Sequence, residues 1–400
     1  MKKWCRTFLL SCLLCLSLCT LAQATDGETL RVGLKYGSDA MSAANLQNYS
    51  AFGGYALGYF DADGSFEELG ALPQLYEKIT VTTDTTYHVQ LSGTFYDYDD
   101  ASRTAAQYSG GFAAYEDGAF YARAGSYTSL SAARSAAAQY GGTAVGGSST
   151  GVTVIVTGTD TILFEFDCGG SENLGILPIE TREKTVTWFR GYRYYGGFEY
   201  QRVSGGNINV INVVDLEDYV KCVIPWEMSK DWPVEALKAQ AVIVRTQLQW
   251  CKENKKEAPK PLSKKEMEQL WGQEKYYEFY EKMIRAAGDT NGQVMTFGGK
   301  VINPSFHKVS AGMTRDGSQI YKDTPYLLSV KSSEDVLSED YLSVKFFTKK
   351  EFEAKLAGVL QNKEEDPKEI EAYLNTFTIQ RDGAEYVTEL EKDGNPLDVD

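Results

Sequence analysis

From Thr29 to about Gly110 apolar and polar positions alternate in short runs: "TLRVGLKYG", "YALGYFDADG" and "KITVTTDTTYHVQLSG". A period of two residues punctuated by Gly, Asp and Asn predicts strands joined by tight turns, and "DADG" marks a hairpin. The rhythm changes in "GAFYARAGSYTSLSAARSAAAQYGG", residues 118–142. A strand from Ala119 to Ala124 leads through Gly-Ser into an Ala-rich helix from about Ser129 to Gln139, which Gly141 stops. The strands "VTVIVTG" and "TILFEFD" follow a Gly/Ser linker, so residues 113–160 read as a strand–helix–strand unit. From about Thr185 the strands turn aromatic, and "NINVINVVDLEDYV" runs into a helical turn that begins near Asp215 with acids in its first turn, as the helix dipole favours.

The next helix is the clearest. Pro233 suits a first turn because its missing N–H would be unpaired there, and Glu235 complements the dipole. Leu237, Gln240, Ala241 and Val244 then fall on one face at i, i+3, i+4 and i+7, with Gln240 the one polar intrusion. The basic stretch "KENKKEAPKPL" reads as a solvated insertion. Ser263 and Glu266 form a capping box for a second helix whose buried side is Met267, Leu270, Trp271, Tyr280, Met283 and Ile284, ending near Gly288. "FGGK" predicts a hairpin turn, and "KKEFEAKLAGVLQNKEEDPKEIEAYL" a charged surface helix. The fold class expected is α+β. A leader over 1–24 precedes a β-rich region over 25–112, the strand–helix–strand unit over 113–160, and a mixed α/β domain over 185–400.

Composition narrows the setting. Lys2, Lys3 and Arg6 precede the 15-residue apolar run "FLLSCLLCLSLCTLA" and the small-x-small pattern Ala22-Gln23-Ala24. That is a secretory signal cut after Ala24, since the run falls short of the ~20 residues that span a bilayer; an uncleaved anchor is the competing reading. Leu18 stands where a lipobox needs a small residue. The expected location is therefore secreted or extracytoplasmic, with membrane contact only if the leader is retained. The chain carries a net charge of −15, and loss of the leader's three cations leaves −18. Nucleic acid is excluded as a partner, because phosphate binding needs clustered Lys and Arg. Beyond the leader, Cys168, Cys222 and Cys251 are too few for a disulfide scaffold and lack metal-ligand spacing. They read as buried apolar residues, with one bridge as the alternative.

Glu227 is where chemistry first suggests itself. Pro225, Trp226, Met228 and Trp232 surround it in sequence, so apolar walls are expected to desolvate its carboxyl and raise its pKa. A protonated carboxyl is what a glycosidic leaving oxygen needs. A usual hydrolase requires a second carboxylate, and the candidates Glu217, Asp218, Asp231 and Glu235 lack comparable apolar company. One acid suffices where the sugar's own hydroxyl attacks, as in a lytic transglycosylase that closes a 1,6-anhydro ring on muramic acid.

"DLEDYVKCVIPWEMSKDWPVEALKAQAVIVRTQ", residues 215–247, resembles the signature of the SpoIID/LytB family, the stage II sporulation protein D type. It carries Leu-Glu-x-Tyr, Pro-x-Glu-Met, Trp-Pro-x-Glu-Ala-Leu-Lys-Ala-Gln-Ala and Arg-Thr. "NGQVMTFGGKVINPSFHKVSAGMT" and "TPYLLSVKSSED" match later family segments in the same order, so the resemblance covers about 205–345. It implies a peptidoglycan lytic transglycosylase whose acid is Glu227, with Arg245 supporting the acid through the fold or binding sugar. Trp226, Trp232, Lys238, Gln240, His307, Ser310 and Thr314 are implied as substrate-binding residues. A cell-wall amidase that strips peptides from the glycan is the implied partner, and a role in septum remodelling during sporulation the implied setting. The rival reading is a non-catalytic glycan binder or amidase enhancer. Some family members hold zinc near the matching histidine with cysteines, but no cysteine follows Cys251 here and Met313 replaces a polar residue, so no metal and no cofactor is expected for this chain. His88 reads as structural. The unit over 113–160 resembles the SPOR module, which binds glycan strands. Family members also end in a Gly-His-Gly-Val-Gly-Met-Ser-Gln type segment that is not found before "LEKDGNPLDVD", so the C-terminal end of the domain is expected to be incomplete.

Overall fold

The computed structural model describes residues 22–23, 28–49, 53–180, 184–254, 273–360, 376–383 and 386–396. They fall into two compact units, Met1–Ile302 and Asn303–Asp400. The fold is mixed α+β, rich in strands toward the N-terminus.

In the first unit the strands before the helical signature are β1 (Thr29–Lys35), β2 (Ala43–Asn48), β3 (Tyr55–Phe60), β4 (Phe66–Leu72), β5 (Lys78–Thr83) and β6 (Tyr87–Gln90). Helix α1 (Tyr98–Ala105), β7 (Gly111–Glu116), β8 (Ala119–Tyr127), helix α2 (Leu130–Tyr140) and β9 (Thr143–Gly146) follow. After these come β10 (Val152–Val156), β11 (Ile162–Asp167), β12 (Leu174–Pro178), β13 (Thr187–Phe189), β14 (Tyr192–Tyr194), β15 (Gly197–Val203) and β16 (Asn207–Asp215). One sheet runs β9-β6-β8-β7-β11-β10-β5-β2-β13-β14, the other β1-β16-β15-β12-β3-β4. Their inner faces share one core: Leu46, Ile79, Val81, Val154, Phe164 and Phe166 from the first meet Tyr55, Leu57, Ile176, Phe198 and Val210 from the second. The apolar alternation read along the chain is the pleat of this sandwich.

The turn expected at "DADG" joins β3 to β4, which pair antiparallel, and Gly64 takes the positive φ that the turn requires. The Ala-rich helix also forms as expected: Ser129 accepts from the Ala132 N–H, and Gly141 ends it at φ 76°. Two boundaries differ from expectation. The stretch before Gly110 is not all strand, because Asp97 caps α1 by accepting from the Asp100 N–H. In "DYDDAS" a cap and a turn carry the same letters. In addition, the unit expected over 113–160 is the latter half of a β–α–β–β–α–β element that begins at Tyr87 and ends at Gly146. The strands beyond the linker belong to the wider sheet, where β7 pairs in parallel with β11 (Ala113 opposite Phe164).

The expected partition at 112 and 185 gives way to a single unit through Ile302, because β1 pairs along β16 from Thr29 opposite Asp215 to Lys35 opposite Val210. That ladder presents Leu30, Val32 and Val214 to three helices: α3 (Leu216–Glu227), α4 (Val234–Glu253) and α5 (Gln273–Asp289). Met283 is buried in that second core as expected, whereas Ile284 is 40% exposed and belongs to the outer face. The capping box at Ser263 lies outside the described residues. The "FGGK" hairpin forms, with Thr296 opposite Val301 and positive φ at Gly298 and Gly299. Among the described residues Cys168, Cys222 and Cys251 are free, with Cys222 and Cys251 buried.

In the second unit, helix α6 (Lys349–Leu360) and the antiparallel strands β17 (Phe377–Arg381) and β18 (Val387–Lys392) are the regular elements. Among the described residues no helix is long and apolar enough to cross a membrane. The expected leader lies outside them apart from Ala22 and Gln23, which pair with Val294 and Gln293.

Candidate functional site

Helix α3 starts on Asp215, whose Oδ1 accepts from the N–H groups of Glu217 (2.9 Å) and Asp218 (3.1 Å). Pro225 sits inside its last turn, where a missing N–H and a ring clash discourage continuation, and the helix ends at Glu227. Met228 is already extended. The chain then turns, with the Trp232 N–H bonded to the Ser229 carbonyl (3.2 Å), and α4 begins behind Pro233. Glu227 therefore marks the end of one helix, a few residues before the next.

The apolar residues around it are placed differently from the expected pocket. Trp226 is 64% exposed and Trp232 45%, while Met228 packs half-buried against the helical core. Glu227 itself is exposed and has no hydrogen-bond or ion-pair partner among the described residues. Loss of hydration nonetheless pushes its carboxyl above the usual range. The arrangement is an exposed acid without a partner among the described residues, next to Trp226 in the chain and five residues before Trp232, both of them exposed.

Three of the four neighbouring carboxylates are occupied by cations, and Asp231 is exposed with no ion pair among the described residues. Glu217 receives Arg245, Asp218 is paired with Lys184 and with Lys221 (3.1 Å), and Glu235 bonds Lys238 (2.9 Å). Lys238 also bridges to Asp289 at 2.8 Å, so it ties α4 to the end of α5 and its ammonium is held above its ordinary pKa by those two acids. Gln240 is buried on α4 and leaves its Nε2 without a partner.

Arg245 departs most from expectation. It is fully buried, and each of its five N–H groups has an acceptor. Nε and Nη2 hold Glu217 at 2.6 and 2.7 Å; Nη1 reaches the carbonyls of Ala241 (3.5 Å) and Gln293 (3.2 Å); Nη2 also reaches Ala287 (3.3 Å). A guanidinium with no free donor cannot bind sugar. Arg245 is instead a positioning residue that clamps α3, α4, α5 and the strand at Gln293. Next to it, Thr246 donates to the Val242 carbonyl (2.6 Å) and accepts the Met295 N–H (2.9 Å), so Arg-Thr fixes both ends of that short strand. The partner Glu217 was missed as such in the sequence, although a signal was present. Arg245 falls four residues after Ala241, on the buried stripe of α4, where an arginine demands an acid.

His307, Ser310 and Thr314 belong to the second unit and form a cluster of their own there. Asp335 organises it: its Oδ2 accepts from the Ser310 N–H (2.7 Å) and hydroxyl (2.5 Å) and lies 3.9 Å from His307 Nε2. Those Ser310 bonds hold the Asp335 carboxyl below the usual range. Ser310 is buried and its oxygen also accepts the Gly312 N–H (3.2 Å), so the hydroxyl expected in a groove serves the loop instead. Thr314 exchanges bonds with Val330, giving its N–H to the carbonyl (2.8 Å) and accepting the amide on Oγ1 (2.9 Å). "TPYLLSVKSSED" thus anchors the His307–Thr314 segment through these bonds and an isolated bridge between Met313 and Lys331, with Asp335 the residue that sequence reading passed over.

Comparison with known proteins follows this geometry. A family model described as SpoIID, stage II sporulation protein, matches residues 204–297. The match takes in Glu227, Trp232 and Arg245 and stops before His307. Over 158 residues the chain is 34% identical to Stage II sporulation protein D of Bacillus subtilis (strain 168), across 36% of this chain and 46% of that protein. Identity to Stage II sporulation protein D of Bacillus amyloliquefaciens is 32% over the same length and the same shares. An uncharacterized protein of Brachyspira hyodysenteriae is 35% identical over 140 residues, 34% of this chain and 37% of that protein. The chain spans less than half the length of the curated relatives it matches.

Proposed function

We propose that this chain, a member of the SpoIID family, acts in sporulation as a lytic transglycosylase that cleaves peptidoglycan glycan strands outside the membrane. The observation that carries this reading is Glu227: without a partner among the described residues, raised in pKa by lost hydration, and close in the chain to the exposed Trp226 and Trp232. Indole faces stack on the apolar faces of sugar rings, so the two tryptophans form a platform that holds a strand over the acid.

The chemistry needs one carboxyl. Glu227, protonated, gives its proton to the glycosidic oxygen as the bond to C1 of the muramic residue breaks. The C6 hydroxyl of the same residue attacks C1 and returns its proton to Glu227, closing the 1,6-anhydro ring and restoring the acid. No water is consumed. A two-carboxylate hydrolase would have to use Asp231, the one candidate of the four without an ion pair among the described residues, because Glu217, Asp218 and Glu235 are already paired with cations. Septum remodelling beside an amidase that bares the glycan belongs to the same proposal.

Peptide-free glycan strands incubated with the purified protein should yield anhydro-muramic products by mass spectrometry. Glu227→Gln keeps the shape but cannot donate the proton, so product formation should fall about 10²- to 10⁴-fold with strand binding intact. Strands retained on the wild-type protein without any product would make it a glycan binder and sink the enzyme reading.

A further inference from the structure

Away from Glu227, the ten-stranded sheet buries three ionisable side chains together. Asp84 lies in the link between β5 and β6, His88 in β6, and Glu165 in β11; all are closed off from solvent. One ligand atom from each lies within 4.8 Å of the others. Strands β6 and β11 are separated by β8 and β7, about 14 Å in a flat sheet, so the face carrying these groups is concave.

Three details point to a cation site. His88 Nδ1 sits 2.7 Å from the Gly125 carbonyl, which can only accept, so Nδ1 carries a proton. This is the backbone bond that orients a metal-binding imidazole and leaves Nε2 as the ligand atom. Nε2 is 3.2 Å from Asp84 Oδ1, close to the edge of about 3.3 Å between two ligands of a tetrahedral zinc ion. Finally, Asp84 Oδ2 and Glu165 Oε2 are enclosed and have no hydrogen-bond partner among the described residues. Bare carboxylate oxygens are costly to bury, and a cation between them removes that cost.

The other charged groups facing the cluster do not supply it. Arg123 gives Nη1 to Glu165 Oε1 (2.5 Å) and Nη2 to Glu116 and Gln90. Arg202 is directed at the main-chain carbonyls of Asp84 (3.3 Å) and Gly151 (2.5 Å). Protonating Nε2 would satisfy Asp84 Oδ1 and still leave both orphaned oxygens bare. The Thr86 hydroxyl lies 3.3 Å from Nε2 and is placed to complete a four-ligand shell.

We propose that Asp84, His88 and Glu165 form a structural site for a divalent transition ion of the zinc type, which staples the start of β6 to β11. One imidazole nitrogen with two carboxylate oxygens is a zinc ligand set, and a closed, buried position suits a structural rather than a catalytic ion. The site is independent of the Glu227 chemistry.

The test uses the full chain, stripped with EDTA and titrated with Zn²⁺ by calorimetry, with Mg²⁺ as control and the melting temperature recorded at each stage. One equivalent of zinc should bind and raise the melting temperature, with no response to magnesium. Asp84→Asn and His88→Gln, checked for native circular dichroism, should each lose that equivalent while glycan cleavage by the folded variants persists. Should His88→Gln fail to fold, Asp84→Asn and the wild-type titration decide. The proposal fails if stripped wild-type protein takes up no stoichiometric zinc and melts unchanged, which would leave a buried ion-pair network. It fails equally if both variants retain the zinc.

Discussion

At the scale of single residues, the acid and its exposure set the expected behaviour. Glu227 has only lost hydration acting on it, with no cation to pull its pKa down. The sign follows directly. A general acid works while protonated, so kcat/KM should be flat at low pH and fall as pH rises through the folded-state pKa. Because that pKa is raised, the fall should be centred above about 4.3, the value of an unperturbed glutamate. A pH series on peptide-free strands measures it. A rate that rises through that range would mean the carboxylate is the working form and that another group supplies the proton. Trp226, Trp232 and Glu227 lie close together in the chain and all face water, with no ion pair to Glu227 among the described residues. Neither core packing nor an ion pair accounts for that.

At the scale of elements, the helical signature is a fastening device. Asp215 caps α3, Pro225 ends it, and Arg245 joins it to α4, α5 and the Gln293 strand. Removing the guanidinium leaves Glu217 half-buried without its cation and takes one donor from each of the Ala241, Ala287 and Gln293 carbonyls. Arg245→Met should therefore lower stability by about 3–5 kcal/mol in urea unfolding, the usual consequence of stripping one partner from a buried pair. Adding Glu217→Met should return part of that loss, because the stranded charge disappears with it. A single-variant loss below about 1 kcal/mol, the level of an exposed pair, would contradict the clamp. Lys238, bonded to Glu235 and Asp289 at the surface, belongs to the weaker class.

At the scale of the first unit, continuity of the sheets governs what can stand alone. The β–α–β–β–α–β element over Tyr87–Gly146 has a small core of its own: Val89 and Leu91 against Ala105, Ala122 and Ala137. Tyr98 of α1 instead packs on Phe164 of β11, with ring centroids 5.8 Å apart, and Ala101, Ala113 and Phe120 join the sandwich core. Excision would bare those residues and open the β7 edge that β11 covers. The isolated segment should accordingly show no cooperative thermal transition by circular dichroism, and a sharp two-state melt would show that it is an autonomous module. Glycan binding by this element, the property its SPOR resemblance implies, is therefore best assayed by substitutions within the full chain.

Taken by itself, the sequence determined whatever rests on local periodicity and local chemistry. The alternation of the strands, the Ser129 cap and Gly141 stop of α2, the Gly64 and Gly298 turns, the buried stripe of α4 and the acid after Pro225 are all dictated by neighbours within a few residues. Tertiary structure decided the rest, because the deciding partner is distant in sequence. Arg245 is a clamp and not a sugar ligand because Glu217 and Gln293, 28 and 48 residues away, use up its donors. Ser310 is a loop anchor because Asp335 takes its hydroxyl. The partition at 112 and 185 dissolved because β1 completes a sheet with β16. His88 looked like an ordinary strand residue until the concave sheet brought Glu165 to it. A polar side chain advertises only that it needs a partner; which partner it finds, and so whether it is left free for chemistry, is settled by the folding of the whole chain.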